Sequence, residues 1–195
     1  MTEKMISAFW GMSILGWIAL AAGSLILVFI SRNSLFHPRS HGFCRFFVWE
    51  ILLIQVLRNL NGWFRNPWAG YQVVSWLLLM ISIGLVIWGV RLLRELGRQN
   101  AALRDANLIG VEKTSHLVTV GLYRYIRHPM YSSLLFLSWG LFFKSPSWVD
   151  VGWALLCTVF LVATARMEER ENIAYFGEAY IEYMKRSRMF IPFVV

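Results

Sequence analysis

Two blocks of the sequence hold the residue types that chemistry needs. The first is SHLVTVGLYRYIRHPMY, Ser115 to Tyr131. It sets Arg124, Arg127 and His128 directly before Pro129 and an apolar run. Proline suits the first turn of a helix, where a missing N–H is no loss. The pattern therefore puts His128 at a helix N-terminus, where backbone N–H groups favour an anionic ligand. The second block is ARMEERENIAYFGEAYIEYMKRSRMFIP, Ala165 to Pro192. Glu168, Glu169 and Glu171 leave the last apolar run together and ask for a cationic partner, which Arg124, Arg127 or Arg166 supplies. Ile173, Phe176, Tyr180, Tyr183 and Met184 recur at helical spacing. That spacing predicts an amphipathic helix on a membrane face or over a pocket.

Both blocks also suit a plainer role, as a basic anchor with a capping proline and an interface-bound tail. Together they offer His and Arg at a helix N-terminus for a carboxylate, a glutamate pair for an ammonium and aromatic faces for stacking. A zwitterionic cofactor bearing a heteroaromatic ring suits that set. Glu50 is a third candidate. A carboxylate at membrane depth marks a site by default; pairing with Arg45 or Arg58 near a helix end is the alternative.

The elements that must position these residues are apolar. The 195 residues are 57% hydrophobic and only 15% charged, with a mean hydropathy of +0.53. A soluble domain carries about 25% charged residues, so the composition fits an integral membrane protein. Spans of about 20 apolar residues are expected at Ala8–Ile30, Phe43–Trp63 and Tyr71–Leu93. Two shorter runs, Pro129–Phe143 and Val149–Ala165, read as a helical hairpin turning at KSPS. The first run is too long for the core of a signal peptide. HLVTVGLY alternates around Gly121 and reads as extended chain.

A net charge of +8 would point to nucleic acid in a soluble chain. Here the basic residues sort by side, which excludes that class. Arg32, Arg39 and Arg45 flank the first loop. Arg91, Arg94, Arg98, Arg104, Lys113, Arg124 and Arg127 fill the long connection. Arg166, Arg170, Lys185, Arg186 and Arg188 lie in the tail. These are fifteen of the 19 basic residues; Lys4, Arg58, Arg65 and Lys144 fall on the other side. By the positive-inside bias, the N-terminus is expected outside and the C-terminus in the cytosol. Cys44 and Cys157 show no metal or redox spacing and read as small apolar residues; no metal is expected.

HLVTVGLYRYIRHPMY, a hairpin and then EERENIAYFGEAYIEYMKRSRMFIP resemble, in that order, the isoprenylcysteine carboxyl methyltransferase family, whose relatives include phospholipid N-methyltransferases. The resemblance covers roughly Leu108 to Pro192. It implies S-adenosylmethionine as methyl donor, with S-adenosylhomocysteine as product. It carries cofactor contacts onto His116, Leu117, Val118, Tyr123, His128, Pro129, Met130 and Tyr131, with Glu168 facing the cofactor's amino group. It also implies an arginine that orients the acceptor. The family position falls on Thr164, and this chain offers Arg166 two residues before the first glutamate. Arg166 and Glu168 are thus the expected catalytic residues.

The expected fold is all-α and integral to the membrane. It has five transmembrane helices, including the C-terminal hairpin, and a cytosolic cofactor pocket between the connection and the C-terminal helix. One domain, 1–195, divides into N-terminal spans (1–107) and a cofactor-binding half (108–195). The expected reaction is methyl transfer to the carboxylate of a lipid-tailed acceptor that enters from the bilayer, a C-terminal prenylcysteine first. A phospholipid amine is the alternative acceptor. A sterol-reductase-like enzyme using NADPH is a further one, although such chains are longer.

Overall fold

The computed structural model describes residues 12–38, 40–96 and 116–192. Among the described residues six helices follow one another: α1 Ile14–Leu35, α2 His41–Asn59, α3 Gly70–Leu96, α4 Pro129–Phe142, α5 Trp148–Phe176 and α6 Glu178–Arg186. Short 3₁₀ turns cover Leu60–Gly62 and Gly121–Arg124. Among the described residues there is no strand, only an isolated parallel bridge between Ile126 and Arg188.

Hydroxyls start two of the long helices. Ser13 Oγ accepts from Gly16 N at 3.2 Å and opens α1. Ser147 Oγ accepts from Asp150 N at 3.2 Å and opens α5. Such caps satisfy donors that the first turn leaves without an intrahelical partner.

The helices point apolar side chains outward. Leu15 and Phe29 of α1 are 74% and 67% exposed. Inside, apolar packing centres on Val48, Ile51 and Leu52 of α2, Leu141 of α4 and Cys157 and Leu161 of α5. Small polar side chains stitch the helices. Ser75 Oγ donates to Gly140 O and Ser82 Oγ to Ser133 O, each at 2.7 Å, tying α3 to α4. Ser138 Oγ donates to Gln55 Oε1 at 2.8 Å, tying α4 to α2. Helices in lipid gain little from burying apolar surface against each other, so close packing and hydrogen bonds hold them.

The end of the molecule away from the two chemical blocks is also polar inside. Arg58 pairs with Asp150 at 3.0 Å, both buried. Gln72 Nε2 donates to Gly62 O at 2.8 Å and to Lys144 O at 3.0 Å. A Cβ at Gly62 would meet the Lys144 carbonyl oxygen at 2.7 Å, so only glycine lets the two turns close. The Lys144 side chain is buried, with Nζ 3.3 Å from the ring centroid of Trp76. Burial pushes its ammonium below the usual lysine range, and the ring face returns part of that cost.

Three of the expected spans are helices long and apolar enough to cross a membrane: α1 with 22 residues, α3 with 27 and α5 with 29. The chain is a membrane protein by that measure. α2 does not meet it, and α4, with 14 residues, is about 21 Å long at 1.5 Å per residue. The second helix ends at Asn59 rather than near Trp63. The short last span was an underestimate, because α5 continues eleven residues beyond Ala165 to Phe176. The helix expected over the tail is two helices, broken at Gly177. Gly177 adopts φ 60°, ψ −136°, a conformation essentially confined to glycine. HLVTVGLY is non-helical as far as Val120, then tightens into the 3₁₀ turn from Gly121. Lys4, residues 8–11, Arg39, Arg98, Arg104, Lys113 and the expected boundary at 107/108 lie outside the described residues.

Candidate active site

The site is built where the start of α4 meets the far end of α5. His128 occupies the N-cap of α4 and Pro129 its first turn. The helix begins with Ser132 N donating to His128 O at 2.9 Å. The Ser132 hydroxyl lies within hydrogen-bond distance of two carbonyls, His128 O at 2.9 Å and Phe190 O at 2.7 Å.

A strap from after α6 braces this start. Arg127 N donates to Arg188 O at 2.8 Å, His128 N to Met189 O at 3.2 Å, and Arg188 N to Tyr125 O at 2.9 Å. Tyr183 of α6 donates its hydroxyl to Tyr123 O at 2.6 Å. Residues 183–190 thus fix the conformation of the block about sixty positions earlier.

The acidic residues of α5 divide by helical face. Glu169 meets Arg127, with Nε donating at 2.7 Å; the side chains are 9% and 10% exposed. Arg127 Nη1 also donates to Met184 O at 3.2 Å and to Ser187 O. One guanidinium thereby holds α5 and the C-terminal carbonyls of α6 together. Glu169 lies 3.5 Å from His128 Nε2, and Glu168 lies 3.9 Å from His128 Nδ1. The imidazole stacks on Tyr131 with centroids 5.4 Å apart. Glu171 turns to α2, its carboxylate 2.6 Å from His41 Nδ1. Burial pushes the Tyr180 phenol well above its usual range, helped by the charge of Glu168. Burial does the same to Tyr183. Both rings therefore stay neutral at physiological pH.

Arg127, His128, Tyr131, Glu168, Tyr180 and Tyr183 surround a cleft with a cavity volume of about 80 Å³. Of the ten expected site residues, Leu117, Val118, Tyr123, His128, Pro129, Met130, Tyr131 and Glu168 line it. His116 and Arg166 do not; both are exposed. Arg166 stands two residues from Glu168, about 200° around the helix. Thr164, the position where the family places an arginine, is buried and donates its hydroxyl to Phe160 O at 2.7 Å. The cleft also takes in Leu93, Arg127, Asn172, Phe176, Tyr180 and Tyr183. Asn172 had one signal in the sequence, its place one helical turn after Glu168.

Glu50 is met from α1, where Ser24 Oγ donates to Oε2 at 2.7 Å. Arg58 is committed to Asp150, and Arg45 lies beside His41 at 3.5 Å. Among the described residues, no group of three or more His, Cys, Asp or Glu side chains is placed to hold a metal ion.

The family model described as phospholipid methyltransferase matches residues 71–179. Protein-S-isoprenylcysteine O-methyltransferase of Homo sapiens is 30% identical over 131 residues, 65% of this chain and 45% of that protein. Protein-S-isoprenylcysteine O-methyltransferase B of Arabidopsis thaliana is 29% identical over 122 residues, 61% of each. Methanethiol S-methyltransferase of Pseudomonas deceptionensis is 34% identical over 74 residues, 36% of this chain and 26% of that protein. The chain thus spans less than two thirds of the length of each of these relatives. No solved structure matches it. The match over 71–179 covers more than half of the 195 residues, and the chain belongs to the phospholipid methyltransferase family, with protein-S-isoprenylcysteine O-methyltransferases among its relatives.

Proposed function

We propose that the chain binds S-adenosylmethionine in this cleft and methylates the carboxylate of a lipid-tailed acceptor, in the first place a C-terminal prenylcysteine. The observation that carries the reading is a convergence. A helix N-terminus, a lining carboxylate and buried aromatic rings meet at one cleft, just where the apolar stretch of α5 ends.

The donor set fits the cofactor. The first turn of α4, Met130 and Tyr131, lines the cleft, and the first N–H groups of a helix favour a carboxylate. Glu168 suits an ammonium. The rings of Phe176 and Tyr180 suit a heteroaromatic base. When bound, S-adenosylmethionine supplies a methyl group on a sulfonium, open to in-line displacement. The chain's own work is to orient, enclose and exclude water.

Glu169 is committed to Arg127 and His128, which ties that carboxylate to structure rather than to proton transfer. A carboxylate acceptor is already ionised at neutral pH and needs no base. An amine must first lose a proton. The family's description names a phospholipid; were its amine the acceptor, Glu168 would be the base. The methanethiol relatives add a thiol as a third acceptor. We place the cleft on the cytosolic side with the N-terminus outside, supported by the partition of basic residues. A water-borne cofactor and a bilayer-borne acceptor then meet at the end of α5's apolar stretch.

The test is transfer of a labelled methyl group by the purified protein in vesicles. The acceptors offered are a farnesylated cysteine analogue, phosphatidylethanolamine and methanethiol. Label is expected on the prenylcysteine, with the rate falling as the prenyl chain is shortened, since each buried CH₂ contributes about 0.8 kcal/mol. Label on phosphatidylethanolamine alone would replace the carboxylate reading with the amine one.

A further inference from the structure

One wall of the cleft is a ladder on α5. Glu168, Asn172 and Phe176 all line it, and they are spaced i, i+4, i+8. At about 1.5 Å per residue, Asn172 stands about 6 Å and Phe176 about 12 Å beyond Glu168 along the axis. The ladder changes in kind along its length, from carboxylate to amide to phenyl ring. The carboxylate stands nearest the apolar stretch of the helix, and the ring stands farthest from it.

Tyr180 extends the far end. Its ring lies parallel to that of Phe176, with 16° between planes and centroids 6.4 Å apart. Asn172 stands close enough to the Tyr180 phenol to oppose part of the rise that burial gives it. A primary amide offers two N–H donors and two acceptor lone pairs, and Asn172 lines the cleft.

We propose that Asn172 is the specificity-determining residue for a 6-aminopurine base, held between the amide and the Phe176–Tyr180 rings. This assignment rests on the cofactor reading above and deepens it. It orients the ligand, with the amino-acid end at Glu168 and the α4 N-terminus and the base at the far end of α5. The chemistry is the pairing that lets an asparagine or glutamine read adenine. The amide oxygen accepts from the 6-amino group while the amide N–H donates to a ring nitrogen. A 6-oxo purine such as hypoxanthine loses the amino donor and turns a carbonyl oxygen toward the amide oxygen. The rings stack on either base alike, so discrimination falls to Asn172.

The test is calorimetric binding by the full chain in detergent, with S-adenosylhomocysteine and S-inosylhomocysteine as probes. The wild type is expected to bind the adenosyl compound about tenfold more tightly or better. Asn172→Ala is expected to weaken adenosyl binding until the two affinities agree within a few-fold. Phe176→Leu is expected to weaken both and keep the gap. Equal affinities in the wild type, or a tenfold gap surviving in Asn172→Ala, would overturn the assignment while leaving the cofactor reading in place. A wild type that binds neither compound would remove the cofactor reading and this one with it. Should Asn172→Ala not fold, Asn172→Ser makes the same comparison, and the wild-type ratio needs no variant at all.

Discussion

Arg127 has no substitute among its neighbours. Its guanidinium pairs with Glu169 and also donates to carbonyls at the end of α6. Removing one partner of a buried pair strands the other charge, at a cost of about 3–5 kcal/mol. Arg127→Ala is therefore expected to lower the unfolding temperature sharply. The double variant with Glu169→Ala should lose clearly less than the sum of the two single variants. Thermal unfolding in detergent measures both, and strict additivity would show that the pair is not coupled. Arg166 makes a contrast. It is exposed and off the cleft, so Arg166→Ala should leave S-adenosylhomocysteine binding unchanged, and a several-fold rise in acceptor KM is the mark of the orienting role that the family resemblance assigns to it. Wild-type kinetics would move the acceptor-orienting role elsewhere, with Arg170 next in line. Residue types with strong chemical character were legible in the sequence. Proline after histidine announced a helix start, and paired glutamates announced a demand for cations. Asn172 carried no such mark, because an asparagine is as common in a plain turn as in a site. Its meaning appears once Glu168 is known to face the cleft from the same helix.

At the scale of elements, α5 is the instructive case. The charged run RMEERE reads as the end of a span, since it ends the apolar stretch. Arg, Met, Glu and Ala are nevertheless strong helix formers, and nothing in the run stops a helix. The stop comes at Gly177, the first glycine after the run, which takes φ 60°, ψ −136°. Apolar patterning thus located the stretch facing lipid but not the length of the helix. The break has a consequence for stability. A Cβ at Gly177 would meet nothing within 4 Å, so Gly177→Ala tests the backbone alone. The substitution is expected to cost about 1–3 kcal/mol. The loss should appear as faster amide exchange across α6 and weaker S-adenosylhomocysteine binding, with α1 to α4 unaffected. Unchanged exchange in α6 would mean that the turn tolerates a side chain.

For the molecule as a whole, charge and hydropathy act on different features. Hydropathy identifies α1, α3 and α5 as helices able to cross a bilayer. It does not pick out α2, whose buried Arg45 and Gln55 and partly buried Glu50 serve helix contacts. The proposed orientation rests on charge. The positive-inside reading assigns fifteen of the 19 basic residues to the cytosolic side, so single cysteines at Thr2 and Val195 in a cysteine-free background should label from opposite sides. Thr2 is expected to react with an impermeant reagent from outside, and Val195 only after the membrane is opened. Labelling of Val195 from outside would invert the topology.

The strap over the R-H-P block also sets an order in time. Ser187 follows Arg127 by 60 positions, and Met189 supplies the carbonyl that holds His128 N. At about 5–20 residues per second, the ribosome adds the strap about 3–12 s after the block it braces. The apolar body of α5 is made in that interval. Each new copy therefore passes through a stage in which its helices are already laid down and its cleft is still unlatched. The cleft has its described form only once residue 190 has been added and drawn back against the block.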